Sequence, residues 1–355
     1  MKFHQEENLS RRMLFTQTSM RNKFLKYIMI GICLIFSGKS FSQSIQTIED
    51  IGLFLTDATF YSEKYITPAT DAAVYQASSN WMTSPKKRKL YDVTLSLHGN
   101  LFFVPKRDRS FEIKNSDFSF FTIENNSSAT VPTALGSDSQ YYLIGEIDNN
   151  QVRIETPKGV NQETIFYPYL QGSISLWKGF EAVVKFSSKV KLKRGDYQVY
   201  GFGLKHNFSQ YFKSLESKKI HLAGLVAYSK EEISFGFLDT YTNYGNLGIN
   251  EITGEVDTWQ FQISASKEWK RFELMTSFIA NQSDFKYYLS GPKGEIENFI
   301  PVQYILNEKL KDIYKSKFNT IGEISGRYQF SKIYVQTSFA FGKFVNTNLS
   351  VQYEF

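Results

Sequence analysis

The sequence predicts an all-β chain folded as a transmembrane antiparallel β-barrel of about 12–14 strands, with a short N-terminal helical segment that plugs or caps the lumen. Three observations carry this. A signal-like apolar stretch lies near the N-terminus. Apolar and polar residues then alternate with period two through most of the chain. Finally, 355 residues include 32 Phe and 22 Tyr, yet the mean hydropathy is only −0.32. No apolar run approaches the ~20 residues of a membrane-spanning helix, so a helical bundle is excluded. A single cysteine excludes a disulfide framework and a multi-cysteine metal site. Disorder is excluded by the abundance of residues able to bury a large surface.

Residues 1–42 read as a non-mature leader. Tyr27–Phe36 is a ten-residue apolar core, preceded by Arg21, Lys23 and Lys26 and followed by Ser40-Phe41-Ser42. That order is a secretory signal peptide, with cleavage expected between Ser42 and Gln43. Glu6 and Glu7 serve no purpose in such a signal, so translation is expected to start at Met20. Cys33 follows Ile32 rather than a small residue, which argues against lipidation, and its removal leaves a mature chain without cysteine. The leader holds seven of the 41 basic residues and two of the 35 acidic ones. The mature chain therefore carries 34 against 33, a net charge of +1 in place of the whole chain's +6. The basic balance reports export, and a nucleic-acid partner is not expected.

Residues 43–89 lack strand alternation and read as short helices over Ile45–Ser62 and Pro68–Ser79, a plug or a periplasmic segment. Pro85-Lys86-Lys87-Arg88-Lys89 reads as a solvated basic turn before the first strand, where lipid phosphates are within reach. Residues 90–355 are expected to form the barrel. Tyr91, Val93, Leu95, Leu97, Leu101 and Phe103 alternate with polar residues; so do Phe180, Ala182, Val184, Phe186, Val190 and Leu192, and Trp259, Phe261, Ile263 and Ala265. Weaker strands fit near 165–177, 196–206, 220–230, 271–281 and 331–342. Residues 106–163, 241–256 and 282–315 read as long loops, which such barrels place outside the cell. The last strand is the clearest: Leu349, Val351, Tyr353 and Phe355 alternate with Ser350, Gln352 and Glu354. This resembles the C-terminal signal read by the outer-membrane insertion machinery. Backbone groups in lipid cannot be left unpaired, so the sheet must close.

The order of features resembles an uncharacterised Gram-negative outer-membrane family, a domain of unknown function itself similar to the long-chain fatty-acid transporters. The residues that carry the resemblance are Pro68, Trp81-Met82-Thr83-Ser84-Pro85-Lys86-Lys87, Phe103-Val104-Pro105, and Pro132-Thr133 with Gly136. They continue with Pro168, Gln171 and the turn Lys178-Gly179, and then Gly201, Gly203, His206 and Gln210-Tyr211. The leader departs from the family pattern, with Ala72 and Ala73 where Gly-rich sequence is expected. The resemblance implies an outer-membrane location and passive or ligand-gated passage of small hydrophobic or amphipathic molecules. The alternative is a structural or assembly component of the envelope, followed by a lipid enzyme or a general porin.

Candidate ligand or lumen residues are His98, Lys185, Lys189, Lys191 and His206, all read on polar faces of strands. Ser96 and His98 share a face, but no third group is evident in the sequence to orient the base, and no catalysis is expected. His98, His206 and His221 fall on separate strands without ligand-type spacing, so no metal is expected. Gly201-x-Gly203 lacks the third glycine and the context of a nucleotide loop. No cofactor is expected. The partners expected are outer-membrane lipids, the barrel insertion machinery and a small hydrophobic ligand.

Overall fold

The computed structural model describes residues 45–355 apart from 148–149, 239–240, 243–244 and 299. The leader, the start at Met20 and the Ser42–Gln43 cleavage point lie outside the described residues. Residues 50–355 form one compact unit; the rest of the described chain, Ile45–Glu49, is the first turn of helix α1 (Ile45–Ser78).

Ten strands build the barrel: β1 (Val93–Phe103), β2 (Thr164–Ser175), β3 (Phe180–Phe186), β4 (Gly195–Asn207), β5 (Ile220–Gly236), β6 (Glu251–Trp269), β7 (Phe272–Ser290), β8 (Lys315–Phe330), β9 (Ile333–Phe341) and β10 (Val345–Glu354). Neighbours in the sequence pair antiparallel, and β10 pairs back onto β1 from Thr94↔Glu354 to Phe103↔Val345, so the sheet closes. Every strand thus has a partner on each side. The count is ten, not 12–14, for two reasons. The strands β6 and β7 run 19 residues each, so fewer strands use more chain. The residues between β1 and β2 also add nothing to the wall: Ser110–Lys114 pairs with Ser128–Pro132, and Tyr142–Ile147 with Thr122–Ile123 and Asn150–Glu155, above the rim.

The outer face is apolar, as the alternation requires. Leu95, Leu97, Leu101, Phe261, Ile263, Leu349 and Val351 all point outward and are exposed. An aromatic belt rings the end with short turns, formed by Trp177, Tyr211, Trp269, Phe330, Tyr353 and Phe355. Such girdles mark the two interfaces of a bilayer. The three longest connections, 104–163, 237–250 and 291–314, lie at the other end, which places that end outside the cell and the shorter turns in the periplasm. The protein is an outer-membrane β-barrel.

The interior has two storeys. Toward the short turns the inward residues are polar, as with Ser96, His98, Asn100, Gln262 and Ser350, all buried. Toward the long loops they become apolar: Phe235, Ile252, Phe285, Tyr287 and Leu289 pack on Tyr61, Tyr65, Ile66 and Ala69 of α1. The loop expected over 282–315 therefore begins later, at residue 291, because Phe285, Tyr287 and Leu289 continue the alternation inward against the helix. Similarly, β6 begins at Glu251 inside the loop expected over 241–256.

Helix α1 runs unbroken through Pro68, although the sequence predicts two helices. A mid-helix proline costs about 3 kcal/mol. Burial of Tyr65, Ile66, Ala69, Ala72 and Ala73 around it offsets that cost. The small Ala face lets the helix sit inside the wall, with Gly254 opposite Thr70 where a side chain would collide. The helix ends at Ser78, and Asn80 turns the chain in the left-handed region at φ 62°.

Candidate functional site: the plugged lumen

Residues 50–85 fill the lumen, and polar side chains of the wall hold them by their backbone. Lys185 is almost fully buried and donates to the carbonyls of Ala77 (2.9 Å) and Ser79 (2.8 Å). Its ammonium also lies over the rings of Trp81 (4.6 Å) and Tyr169 (4.8 Å). Asn346 donates to the Tyr75 carbonyl at 3.1 Å, and the Trp81 indole N–H to that of Ala77 at 2.7 Å. These groups satisfy helix-end carbonyls that would otherwise have no partner, and the cation sits at the negative end of the helix dipole. On the far wall, Glu323 accepts the Asn80 N–H at 2.8 Å.

A charge network closes the periplasmic mouth. Lys205 meets Glu181 at 2.5 Å and donates to the Ser84 carbonyl at 2.9 Å. Arg88 meets Glu354 at 2.9 Å, and Arg327 bridges Glu354 (2.5 Å) and Glu273 (3.5 Å). Three cations thus face three carboxylates beside the plug. The basic segment expected to be wholly solvated is split: Lys86, Lys87 and Lys89 are exposed, while Arg88 turns inward because Glu181 and Glu354 await it.

At the outer end, Asp57 of α1 accepts the N–H groups of Ser119 (3.0 Å), Phe120 (2.7 Å) and Phe121 (2.9 Å), pinning a loop to the helix. Asp71 pairs with Lys317 (2.6 Å) and Lys343 (2.7 Å) on the rim. Asp57→Ala leaves three inward-facing N–H groups without their charged acceptor and is expected to cost about 2–3 kcal/mol. Limited proteolysis between residues 115 and 122 checks it; an unchanged cleavage rate would show that the loop stands without the cap.

The wall is interrupted between β2 and β3. The ladder between β2 and β3 holds from Ser175↔Glu181 to Leu170↔Phe186 and then stops, whereas β2 stays paired with β1 as far as Thr164. Two local causes coincide there. Pro168 has no N–H to offer β3. Across from it, the three residues Ser187–Lys189 stand against two on β4, a β-bulge, before Val190–Leu192 resumes pairing with β4 alone. Behind the notch lies a cavity of about 10 Å³, lined mostly by apolar side chains that include Ala69, Ala72, Phe102, Ile165, Leu192 and Ile233. This holds about one water.

The expected lumen residues separate into two groups. His98 and Lys185 are buried on the inner face, near Tyr169. Lys189 and Lys191 are not in the lumen: the bulge reverses the strand's faces, so both are exposed and Leu192 turns inward instead. Lys189 makes only loose pairs, 3.8 Å from both Asp196 and Glu232. His206 is also outside the lumen. It stacks among Phe180, Phe208 and Tyr211 at the periplasmic belt, bonded to the Tyr211 hydroxyl at 3.1 Å. Leu349, Val351, Tyr353 and Phe355 face outward as the alternation demands.

His98 Nε2 lies 3.0 Å from Ser96 Oγ, and its Nδ1 3.1 Å from Asn348 Oδ1. The order of contacts is that of nucleophile, base and orienting group. However, the serine hydroxyl is also within 3.1 Å of the Gln171 carbonyl, and a tyrosine ring covers the histidine. The apolar cavities lined by Phe102 and Ile165, and by Tyr61 and Phe121, do not include this cluster. Among the described residues no cluster of three or more His, Cys, Asp or Glu could hold a metal. Sequence reasoning missed Tyr169, Lys205 and Asn346 as plug contacts; their only local signal was polar or aromatic identity on an inward position.

A family model described as a family of unknown function (DUF6588) matches residues 20–355. No curated protein matches the chain. Among solved structures, the chain is similar to the attachment invasion locus protein Ail of Yersinia pestis, at 8% identity, covering 75% of this chain and 100% of that one with a TM-score of 0.25. It is similar to the outer-membrane protease OmpT of Escherichia coli at 9% identity, 78% and 100% coverage and a TM-score of 0.29. An outer-membrane channel of Pseudomonas putida F1 matches at 8% identity, 77% and 99% coverage and a TM-score of 0.29.

Proposed function

The chain belongs to the DUF6588 family of unknown function, and we propose that it passes a small hydrophobic or amphipathic molecule through its wall beside a fixed plug. This is the task of the long-chain fatty-acid transporters, to which the uncharacterised family resembled by its motif order is itself similar. The notch between β2 and β3, with an apolar cavity directly behind it, is the observation that carries the reading. A wall opens most easily where no ladder bonds have to break, and Pro168 with the Ser187–Lys189 bulge supplies such a place. At about 10 Å³ the cavity corresponds to a closed state, so passage requires widening at the notch. The clamped plug favours this lateral route over a general aqueous pore.

The chemistry is passive: no cofactor, metal or catalytic step is invoked, and the Ser96–His98–Asn348 contacts are read as lumen scaffolding. The outward strand Leu349–Phe355 is the segment we assign to recognition by the barrel insertion machinery. The second reading is a structural envelope component without cargo, favoured by how completely the plug is held.

One cross-link separates the two. A Pro168→Cys, Ser188→Cys pair spans the notch in a mature chain that, on the export reading, has no other cysteine. Oxidation is expected to slow uptake of a hydrophobic fluorescent probe into proteoliposomes by at least about tenfold, the factor that about 1.4 kcal/mol of added barrier gives, with recovery on reduction. Full-rate uptake with the disulfide formed would remove the lateral route. Absent uptake by the unmodified protein would favour the structural reading.

A further inference from the structure

We infer that the periplasmic rim is a collar for the anionic phosphate headgroups of the inner leaflet. Every turn at that end carries an exposed cation: Lys87 before β1, Lys178 between β2 and β3, Lys219 between β4 and β5, Arg271 between β6 and β7, and Lys332 between β8 and β9. Among the described residues none of these five makes an ion pair, and further lysines flank several of them. The acids of these turns and of the approach to β1 are Asp92, Glu216 and Glu268, and Glu268 is already engaged by Lys86 and His221. The acids lining this mouth, Glu181, Glu273 and the half-buried Glu354, are taken up by Arg88, Lys205 and Arg327. The lumenal side of the mouth is therefore balanced while the outer rim is not. Because the mature chain carries only +1 in all, the rest of the molecule is net acidic.

The distribution of these cations identifies the partner. They do not gather in one concave patch, as a protein ligand would require; they are spread around the circumference. They also sit at the depth of the aromatic belt: Lys178 follows Trp177, Arg271 precedes Phe272, and Lys332 lies two residues beyond Phe330, all three aromatics exposed. Aromatic side chains of such belts lie at headgroup level. Cations beside them meet lipid phosphates, each with a favourable interaction that decays within a Debye length. The collar would fix the barrel's depth and tilt and gather anionic lipid around it. This inference depends on the periplasmic assignment of the short-turn end and not on any transport.

The test is native mass spectrometry of the full-length protein released from nanodiscs of phosphatidylcholine mixed with phosphatidylglycerol. The wild type is expected to retain phosphatidylglycerol in excess of its share. A Lys87→Ser, Lys178→Ser, Lys219→Ser, Arg271→Ser, Lys332→Ser variant is expected to lose at least about fivefold of that excess. A control lacking five lysines of the outer end (Lys114, Lys158, Lys191, Lys293 and Lys311, each to Ser) should keep it. Both variants are first shown to migrate as folded, heat-modifiable barrels. Equal retention by both variants, or no excess in the wild type, overturns the collar. Loss of binding to purified peptidoglycan sacculi in the rim variant, with lipid retention unchanged, also overturns it and assigns the rim to the cell wall.

Discussion

Deleting residues 45–84 is expected to turn a silent barrel into one that conducts ions in steady steps across a planar bilayer. The described wall is closed by hydrogen bonds on every strand, and the plug takes no part in the ladder. Its removal leaves the wall's own bonding intact and vacates a column about one helix wide, on the order of 10 Å. The inner face exposed by this is polar in its lower storey, with Ser96, Asn100, Gln262 and Ser350 ready to line water. The upper storey would expose Phe235, Phe285 and Leu289, so the deleted protein should also be less stable. Conductance is measured on barrels that still shift mobility on heating. A folded deletion variant that stays silent would mean that wall side chains alone fill the lumen, and the plug would lose its standing as the closing element.

Lys205→Met is expected to be the most damaging single substitution. It leaves Glu181, itself buried, without its closest cation, and it removes the bond to the Ser84 carbonyl that fixes the plug's exit. Breaking one partner out of a buried pair typically costs about 3–5 kcal/mol, because the remaining charge stays desolvated. Arg88 is 3.8 Å from Glu181 and compensates only in part. Urea unfolding of the refolded barrel reads the loss, and adding Glu181→Gln should recover a large share of it by removing the stranded charge. A drop below about 1 kcal/mol in the single variant would place this pair with solvent-screened surface pairs instead. The equivalent change at Lys185 has a different signature: its bonds go to plug carbonyls, so loosening of the plug should precede loss of the wall.

Both expectations rest on contacts between residues far apart in the chain, which is why the sequence could not announce them. The strands were legible because alternation is a local signal. Each position of β10 and β1 could be assigned to the outer or inner face from its immediate neighbours, and the structure agrees along both. Where a local rule failed, a neighbour in space had intervened. Lys189 and Lys191 keep the period of β3 in sequence, but the bulge against β4 inserts one residue and sends them outside. Pro68 should end a helix by its own chemistry, yet it is carried through because packing on every side of α1 outweighs one missing bond. His206 has the polarity of a lumen residue and the position of a belt residue, since three aromatic rings surround it at the membrane edge.

The sequence by itself determined that this chain is an outer-membrane barrel, that its strands separate a greasy face from a wet one, and that such strands must close. Those are consequences of short-range pattern and of the bilayer's refusal of unpaired backbone. Only the tertiary structure decided that ten strands suffice, that the lumen is filled by a continuous helix, and which buried cations hold it there. It alone placed Pro168 opposite a bulge and so located the gap between β2 and β3. The physical reason is the same in each case. A buried charge is tolerated only beside its partner, and this gap opens where a proline on one strand meets a bulge on the next. Neither condition can be read from one segment alone.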